Sequence, residues 1–194
     1  MKQVIKSCFF LVSAVIVAPV TILYFVLCMV FNKDTLLAAM SQLLALLPSK
    51  IGVYLRGGFY RFALNDCSPD AVISFMVLLS QTDTDIGAGV YVGPQCNIGR
   101  CSIGDNCLLG SGVHIMSGKG QHNFSDLQTP LKDQGGVFTK ITIGEDSWIG
   151  NGALILANVG KKCVVAAGAV VINDVPDFAI VAGNPAKIIK MRGK

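Results

Sequence analysis

Histidine is the side chain whose ordinary pKa lies nearest neutrality, and this 194-residue chain contains two of them. His122 lies in residues 116–140, a polar, glycine-rich segment that is too long for a plain connection between structural elements. Long loops on a rigid scaffold often carry function. We therefore predict that His122 is a general base, a group that takes a proton from a reacting hydroxyl or amine.

Cysteine offers a second kind of chemistry, because seven cysteines could form disulfides or hold a metal ion. Cys96, Cys101 and Cys107 are close enough in sequence to raise the question of a metal site. Their position within a repeated pattern answers it.

The repeated pattern is an aliphatic residue followed by glycine at six-residue intervals, seen in Ile86-Gly87, Val92-Gly93 and Ile98-Gly99. Ile103-Gly104 arrives one residue early, and the series resumes after residues 116–140 and continues to Val171. A period of six fits neither a helix nor a plain alternating strand. It predicts a solenoid of short strands, three to each triangular coil, with one aliphatic side chain per strand pointing inward.

Alternation along each strand places the residue two before each aliphatic position inside the coil as well. Most of these residues are small: Val90, Cys96, Cys101, Cys107, Val113, Ile141, Ser147, Ala153, Cys163 and Ala169. The three cysteines are therefore interpreted as core residues, and no metal site is expected. The same alternation points His114 outward, towards solvent or another subunit.

Three segments match a known family closely: ITIGEDSWIGNGALI (141–155), AAGAVVINDVP (166–176) and AGNPAKIIK (182–190). They resemble the hexapeptide-repeat acyltransferases, which include the galactoside, maltose and serine acetyltransferases and polysaccharide O-acetyltransferases. The resemblance covers about residues 70–190. It implies a left-handed parallel β-helix, assembly as a homotrimer and His122 as the base. In one departure from the galactoside enzymes, about two extra residues precede the histidine.

The resemblance also implies acetyl-CoA as co-substrate. Trp148 and Asn151 would lie beside the pantetheine arm and thioester, Ala167 would give backbone contacts, and Lys187 and Lys190 would approach the phosphates. Asn173 stands where some relatives carry a basic residue, so one phosphate contact is expected to be missing.

The N-terminal region, residues 1–33, contains an uncharged apolar run from Phe9 to Phe31 that is long enough for a helix to cross a bilayer. No small-residue cleavage site follows it, so we expect it to be retained as a membrane segment that contacts lipid. Pro19 near its middle leaves two forms open, a spanning helix or a re-entrant hairpin.

Residues 34–68 are predicted to be helical and interfacial. Arg56 and Arg61 stand among aromatic residues, a mixture suited to lipid headgroups, but these helices could also cap the open first coil. The β-helix domain follows as residues 69–182, with its loop at 116–140, and residues 183–194 form a basic C-terminal tail. That tail could meet ligand phosphates, anionic lipid or solvent alone.

These features favour an O-acetyltransferase acting on a sugar of a lipid-linked or surface polysaccharide precursor. Because CoA esters are cytosolic, the catalytic domain is expected to face the cytosol at a bacterial inner membrane. An N-acetyltransferase for an amino-sugar nucleotide and a non-catalytic membrane scaffold remain as alternatives. A zinc lyase can be built on the same prism. By resemblance, that family binds zinc through three histidines, and this chain has two, so it fits poorly. The net charge of +4 without clustered arginines argues against a nucleic-acid partner.

Overall fold

The computed structural model describes residues 2–193, with side chains from Phe9 onward. Three helices come first: α1 (Lys2–Cys28), α2 (Lys33–Ala45) and α3 (Ser49–Ala63). Asn32 caps the N-terminus of α2, since its side-chain oxygen accepts hydrogen bonds from the backbone nitrogens of Asp34 and Thr35.

A parallel β-solenoid follows, built from three sheets that form the faces of a prism. Face A contains β1 (Asp66–Cys67), β4 (Asp85–Ile86), β7 (Cys101–Ile103) and β10 (Ile141–Ile143). Face B contains β2 (Val72–Ile73), β5 (Tyr91–Val92), β8 (Leu108–Leu109), β11 (Trp148–Ile149), β13 (Val164–Val165), β15 (Ala179–Ala182) and β16 (Lys187–Met191). Face C contains β3 (Leu78–Leu79), β6 (Asn97–Ile98), β9 (His114–Ile115), β12 (Leu154–Ile155) and β14 (Val170–Val171). The chain visits A, B and C in turn, as the six-residue period predicts.

The inward-facing positions stack in register from coil to coil and form the core. Cys96, Cys101 and Cys107 are buried in three different walls of the prism, so they are core residues. The Cys107 thiol donates to the Gly144 carbonyl of the next coil over 3.1 Å. Ser147 makes the same kind of bond to the Gly160 carbonyl over 2.9 Å, which explains why a small polar residue is tolerated at this inward position.

The three outer faces differ in polarity. The outward residues of face B form one apolar ladder in register: Val72, Tyr91, Leu108, Trp148, Val164 and Ile180. Those of face A are polar, namely Asp66, Asp85, Ser102 and Thr142. The outward residues of face C are mixed, since Leu78, Leu154 and Val170 share that face with Asn97 and His114. Face B therefore carries the most continuous apolar outer surface of the solenoid.

Helices α2 and α3 cover the open end of the first coil. Arg56 is fully buried there and donates to the carbonyls of Ile73 (2.9 Å), Leu44 (3.0 Å) and Leu47 (2.7 Å). Of the two roles that the sequence left open for these helices, Arg56 takes the capping role. Its guanidinium is buried and hydrogen-bonded to carbonyls at the junction of α2 and the first coil, so it is not available to lipid headgroups.

Two further segments bear on what the sequence left open or predicted. α1 is one continuous helix through Pro19, without the turn that a re-entrant hairpin would need. Within residues 183–194, expected as a basic tail, Lys187–Met191 form β16, which pairs antiparallel with β15 on face B. The backbone of β15 supplies an open sheet edge, and pairing with it satisfies the hydrogen bonds of both strands.

Candidate active site

Residues 116–140 leave the prism at the edge where the chain passes from face C to face A, and we call them the finger. The two arms of the finger run antiparallel and bond to each other. Thr139 donates to the Ser117 carbonyl (2.9 Å), Val137 to the Gly120 carbonyl (2.7 Å) and Asn123 to the Gly135 carbonyl (2.9 Å). The finger is therefore an ordered projection, and His122 lies on its outgoing arm.

The tip of the finger is organised by two side chains. The Gln134 amide donates to the carbonyls of Asp126 and Thr129, both over 2.7 Å. The Asp126 carboxylate accepts from the Gln128 nitrogen (2.8 Å) and the Thr129 hydroxyl (2.6 Å). The tip has no hexapeptide repeats, and these hydrogen bonds instead hold it in a defined shape around a short 3-10 turn at Leu131–Asp133.

The His122 side chain is exposed and has no hydrogen-bond partner among the residues that the structure describes. The nearby Asp126 carboxylate is engaged within the tip of the finger, and Asp105 accepts from the Ala88 nitrogen over 2.8 Å at another edge of the prism. Within one copy of the chain, the imidazole is thus presented outward with both ring nitrogens open to other molecules.

The foot of the finger is held by an ion network that sequence reasoning missed. Arg100 pairs with Asp83 (2.6 Å) and donates to the Phe138 carbonyl (2.9 Å). Lys140 pairs with Asp83 (2.6 Å) and Asp85 (2.7 Å). The bonds from Lys140 and Arg100 lower the pKa of Asp83. One sequence feature marks this network. Ile103-Gly104 follows Ile98-Gly99 after five residues instead of six, and Arg100 lies in the corner that is shortened in this way.

Several clefts lie along the same edge. A cleft of about 480 Å³ at the foot contains Lys119, Thr139, Asn158 and Asn173. A smaller one of about 200 Å³ lies between His114 on face C and Gln121 on the finger. The largest, about 690 Å³, lies farther along, where α1 ends near Tyr24, Lys33 and Arg100. The first two clefts are lined by Lys119 and Gln121, which lie near His122 on the outgoing arm of the finger.

Comparison with known proteins agrees with this architecture. Residues 83–117 match the family described as bacterial transferase hexapeptide (six repeats), and residues 140–172 match the hexapeptide repeat of succinyl-transferase. The chain is a hexapeptide-repeat protein. A probable acetyltransferase of Mycobacterium tuberculosis is 37% identical to it over 92 residues, which are 46% of this chain. The chain spans only 30% of that relative's length.

Solved structures share the fold of this hexapeptide-repeat protein. A maltose O-acetyltransferase from Clostridium difficile superposes with a TM-score of 0.61 at 18% identity, over 84% of this chain and 88% of the other. An N-acyltransferase from Bacillus cereus, solved with an amino-sugar nucleotide and coenzyme A, superposes with a TM-score of 0.56 at 18% identity, over 66% and 77%.

The residues expected to hold the donor lie elsewhere on the hexapeptide-repeat prism. Trp148 is exposed on face B, Asn151 and Ala167 occupy the edge between faces B and C, and Lys187 and Lys190 lie on β16 beside face B. The finger leaves the prism at the other edge of face C, where face C meets face A. One copy of the chain therefore does not bring His122 together with these five residues.

Proposed function

We propose that this protein is an acetyl-CoA-dependent O-acetyltransferase in which His122 is the general base. The observation that carries the proposal is an exposed imidazole on an ordered finger, projecting from one edge of a hexapeptide-repeat prism. The names of its relatives support the reaction class, since the mycobacterial relative is called a probable acetyltransferase. A surface histidine with no function would not need a finger braced at its tip and foot.

In the proposed reaction, His122 takes the proton from an acceptor hydroxyl as its oxygen attacks the thioester carbonyl of acetyl-CoA. Backbone N–H groups stabilise the resulting oxyanion. The intermediate then collapses, the carbon–sulfur bond breaks, and the imidazolium returns its proton to the departing CoA thiolate. The products are the acetyl ester and CoA, and no metal ion takes part.

The site is completed by a neighbouring copy, which makes the protein a homotrimer in this proposal. Two observations support it. The donor residues lie on face B or at its edge with face C, away from the finger of the same copy, so the finger of one prism can meet the donor residues of the next: Trp148, Asn151, Ala167, Lys187 and Lys190. Face B also exposes an apolar ladder that includes Tyr91, Leu108 and Trp148, which a soluble surface would not favour.

The proposed acceptor is a sugar of a lipid-linked or surface polysaccharide precursor, reached at the cytosolic face of a bacterial inner membrane. The support is α1, whose segment Phe9–Cys28 has a mean hydropathy of 2.6 and is by length and composition able to cross a membrane. The cytosolic side follows from the location of CoA esters.

The test is acceptor-dependent thiol release from acetyl-CoA by purified protein, with lipid-linked saccharides, soluble sugars and amino-sugar nucleotides as acceptors. We expect release with a lipid-linked saccharide and its loss by roughly 10²–10⁴-fold in His122→Ala. Lys132→Ala, an exposed position on the same finger, is the matched control and should remain active. Equal rates in the two variants would refute His122 as the base, and preference for an amino-sugar nucleotide would favour N-acetylation.

A further inference from the structure

α1 is attached along its length to the cap of the solenoid. Its buried positions follow one helical stripe: Phe10, Ser13, Ala14, Val17, Thr21 and Tyr24. Tyr54 of α3 contacts Phe9 and Phe10, and Phe59 of α3 contacts Tyr24, with ring centroids 5.3–5.4 Å apart. These contacts hold α1 against α3 from Phe9 to Tyr24, a stretch of about 20 Å along α1.

The crossing of α1 and α3 is close because the contact residues are small. A Cβ on Gly58 would lie 3.0 Å from the Ser13 carbonyl carbon and 3.1 Å from the Ala14 nitrogen. Small residues at such a crossing let two helix backbones approach, and larger residues would separate them. This is specific packing of one helix on another.

α3 is in turn fixed to the first coil. Its Arg56 bonds the Ile73 carbonyl, and its Tyr60 hydroxyl donates over 3.0 Å to Ser41, which itself accepts from the Leu79 nitrogen over 2.7 Å. A bilayer surrounding α1 would have to occupy the space of α3 and of the polar corners of the first coil. Irregular backbone of this kind is not tolerated against lipid.

We propose that α1 lies in the plane of one membrane leaflet as a monotopic anchor, with its inner face on α3 and its outer face in lipid. The outer face is aliphatic and aromatic, with Val12, Ile16, Val20 and Leu23 all exposed on one side. This inference rests on the membrane association proposed above, and it replaces both the spanning helix and the hairpin.

The charged residues of α3, the helix that packs against α1, fit the headgroups of a leaflet better than a protein partner. Exposed Lys50 and half-buried Arg61 stand near the two ends of α3, and the Arg61 guanidinium lies 5.3 Å from the centre of the Phe62 ring. Exposed Ile51 adds an apolar side chain beside them. Cations and aromatic rings bordering an uncharged apolar face are typical of an interfacial helix on an anionic surface.

The placement also suits the reaction. Phe138 of the finger lines a cleft with Asn32, Thr35 and Ala38, the residues that follow the end of α1. An in-plane α1 would thus keep the edge of the prism that bears the finger close to the headgroup layer. A lipid-linked sugar could reach the finger without leaving its leaflet.

The test measures the depth of single spin-labelled cysteines at positions 12, 16, 20 and 23 in vesicles of phosphatidylethanolamine and phosphatidylglycerol. The full-length protein is used, with Cys8 and Cys28 replaced by serine and with Asn97→Cys on face C as the water-exposed control. An in-plane helix places all four labels at one shallow depth, about 5–10 Å below the headgroups. A spanning helix spreads positions 12 and 23 over about 16 Å, because each residue rises about 1.5 Å.

Equal depths support the inference, and a spread near 16 Å would overturn it while leaving the acetyltransferase proposal intact. If the protein does not sediment with these vesicles at all, both the anchor and the membrane-linked acceptor are refuted. Thiol release from acetyl-CoA, measured in parallel, separates these outcomes from a failure of the proposed reaction.

Discussion

A Cβ placed on Gly136 would lie 2.8 Å from the backbone nitrogen of His122, on the opposite arm of the finger. It would also collide with the Gln121 carbonyl. The position of the candidate base is therefore set by a residue fourteen positions later in the chain, and only glycine lets the two arms approach this closely.

We expect Gly136→Ala to lower acetyl transfer by roughly 10²-fold with little change in the melting temperature, since it displaces His122 without entering the core. Gly120→Ala is the matched control, because its Cβ would have its nearest neighbour, the Val137 carbonyl, at 3.7 Å. Initial rates and thermal melts of both variants decide the matter. Similar activity in the two variants would show that the spacing of the arms does not position the base.

A site shared between copies predicts complementation. His122→Ala and Trp148→Ala are each expected to be inactive alone, but a co-expressed mixture should regain activity. With random assortment in a closed ring, about a quarter of the sites combine an intact His122 with an intact Trp148. Rates of the mixture against the separate variants test this expectation, and a mixture as inactive as its components would place the whole site within one copy.

Acid should loosen the foot of the finger. Bonds from Lys140 and Arg100 lower the pKa of Asp83, so its contribution to stability is present above the unfolded pKa of about 3.9 and is lost as the pH falls through the lowered folded value. The carboxyl is partly exposed, so the effect is small and weakens with salt.

Hydrogen exchange of the Val137 and Thr139 amides, corrected for intrinsic rates, measures this loosening. Wild type should lose protection below about pH 4. Asp83→Asn should already have lower protection at pH 6 and show a smaller further loss in acid, because Asp85 still pairs with Lys140. An acid-insensitive wild type would mean that the network does not hold the finger.

The core thiols should be unreactive in the folded protein. Burial raises the pKa of Cys101 to about 12 and those of Cys96 and Cys107 to about 11, so little thiolate is present near neutral pH. We expect a disulfide reagent at pH 8 to leave these three cysteines unmodified until denaturant is added. Peptide mapping after labelling identifies the modified positions, and rapid labelling of Cys101 in the native state would contradict its place in the core.

The sequence by itself determined the solenoid. Each short strand buries one aliphatic and one small residue, and this requirement appears in the sequence as a six-residue period. It therefore predicted correctly that Cys96, Cys101 and Cys107 are core residues. It also identified the finger, since a long loss of period between regular coils marks residues that pack by other rules.

Only the tertiary structure decided how distant residues meet. The contact of Gly136 with His122, the ion network of Arg100 and Lys140, and the burial of Arg56 depend on partners far away in sequence, and no local period encodes them. The same is true of α1: composition showed an apolar helix, but its orientation follows from the packing of Gly58 against Ser13. Local patterns specify which face of an element is buried, whereas the partner of that face is chosen by the fold as a whole.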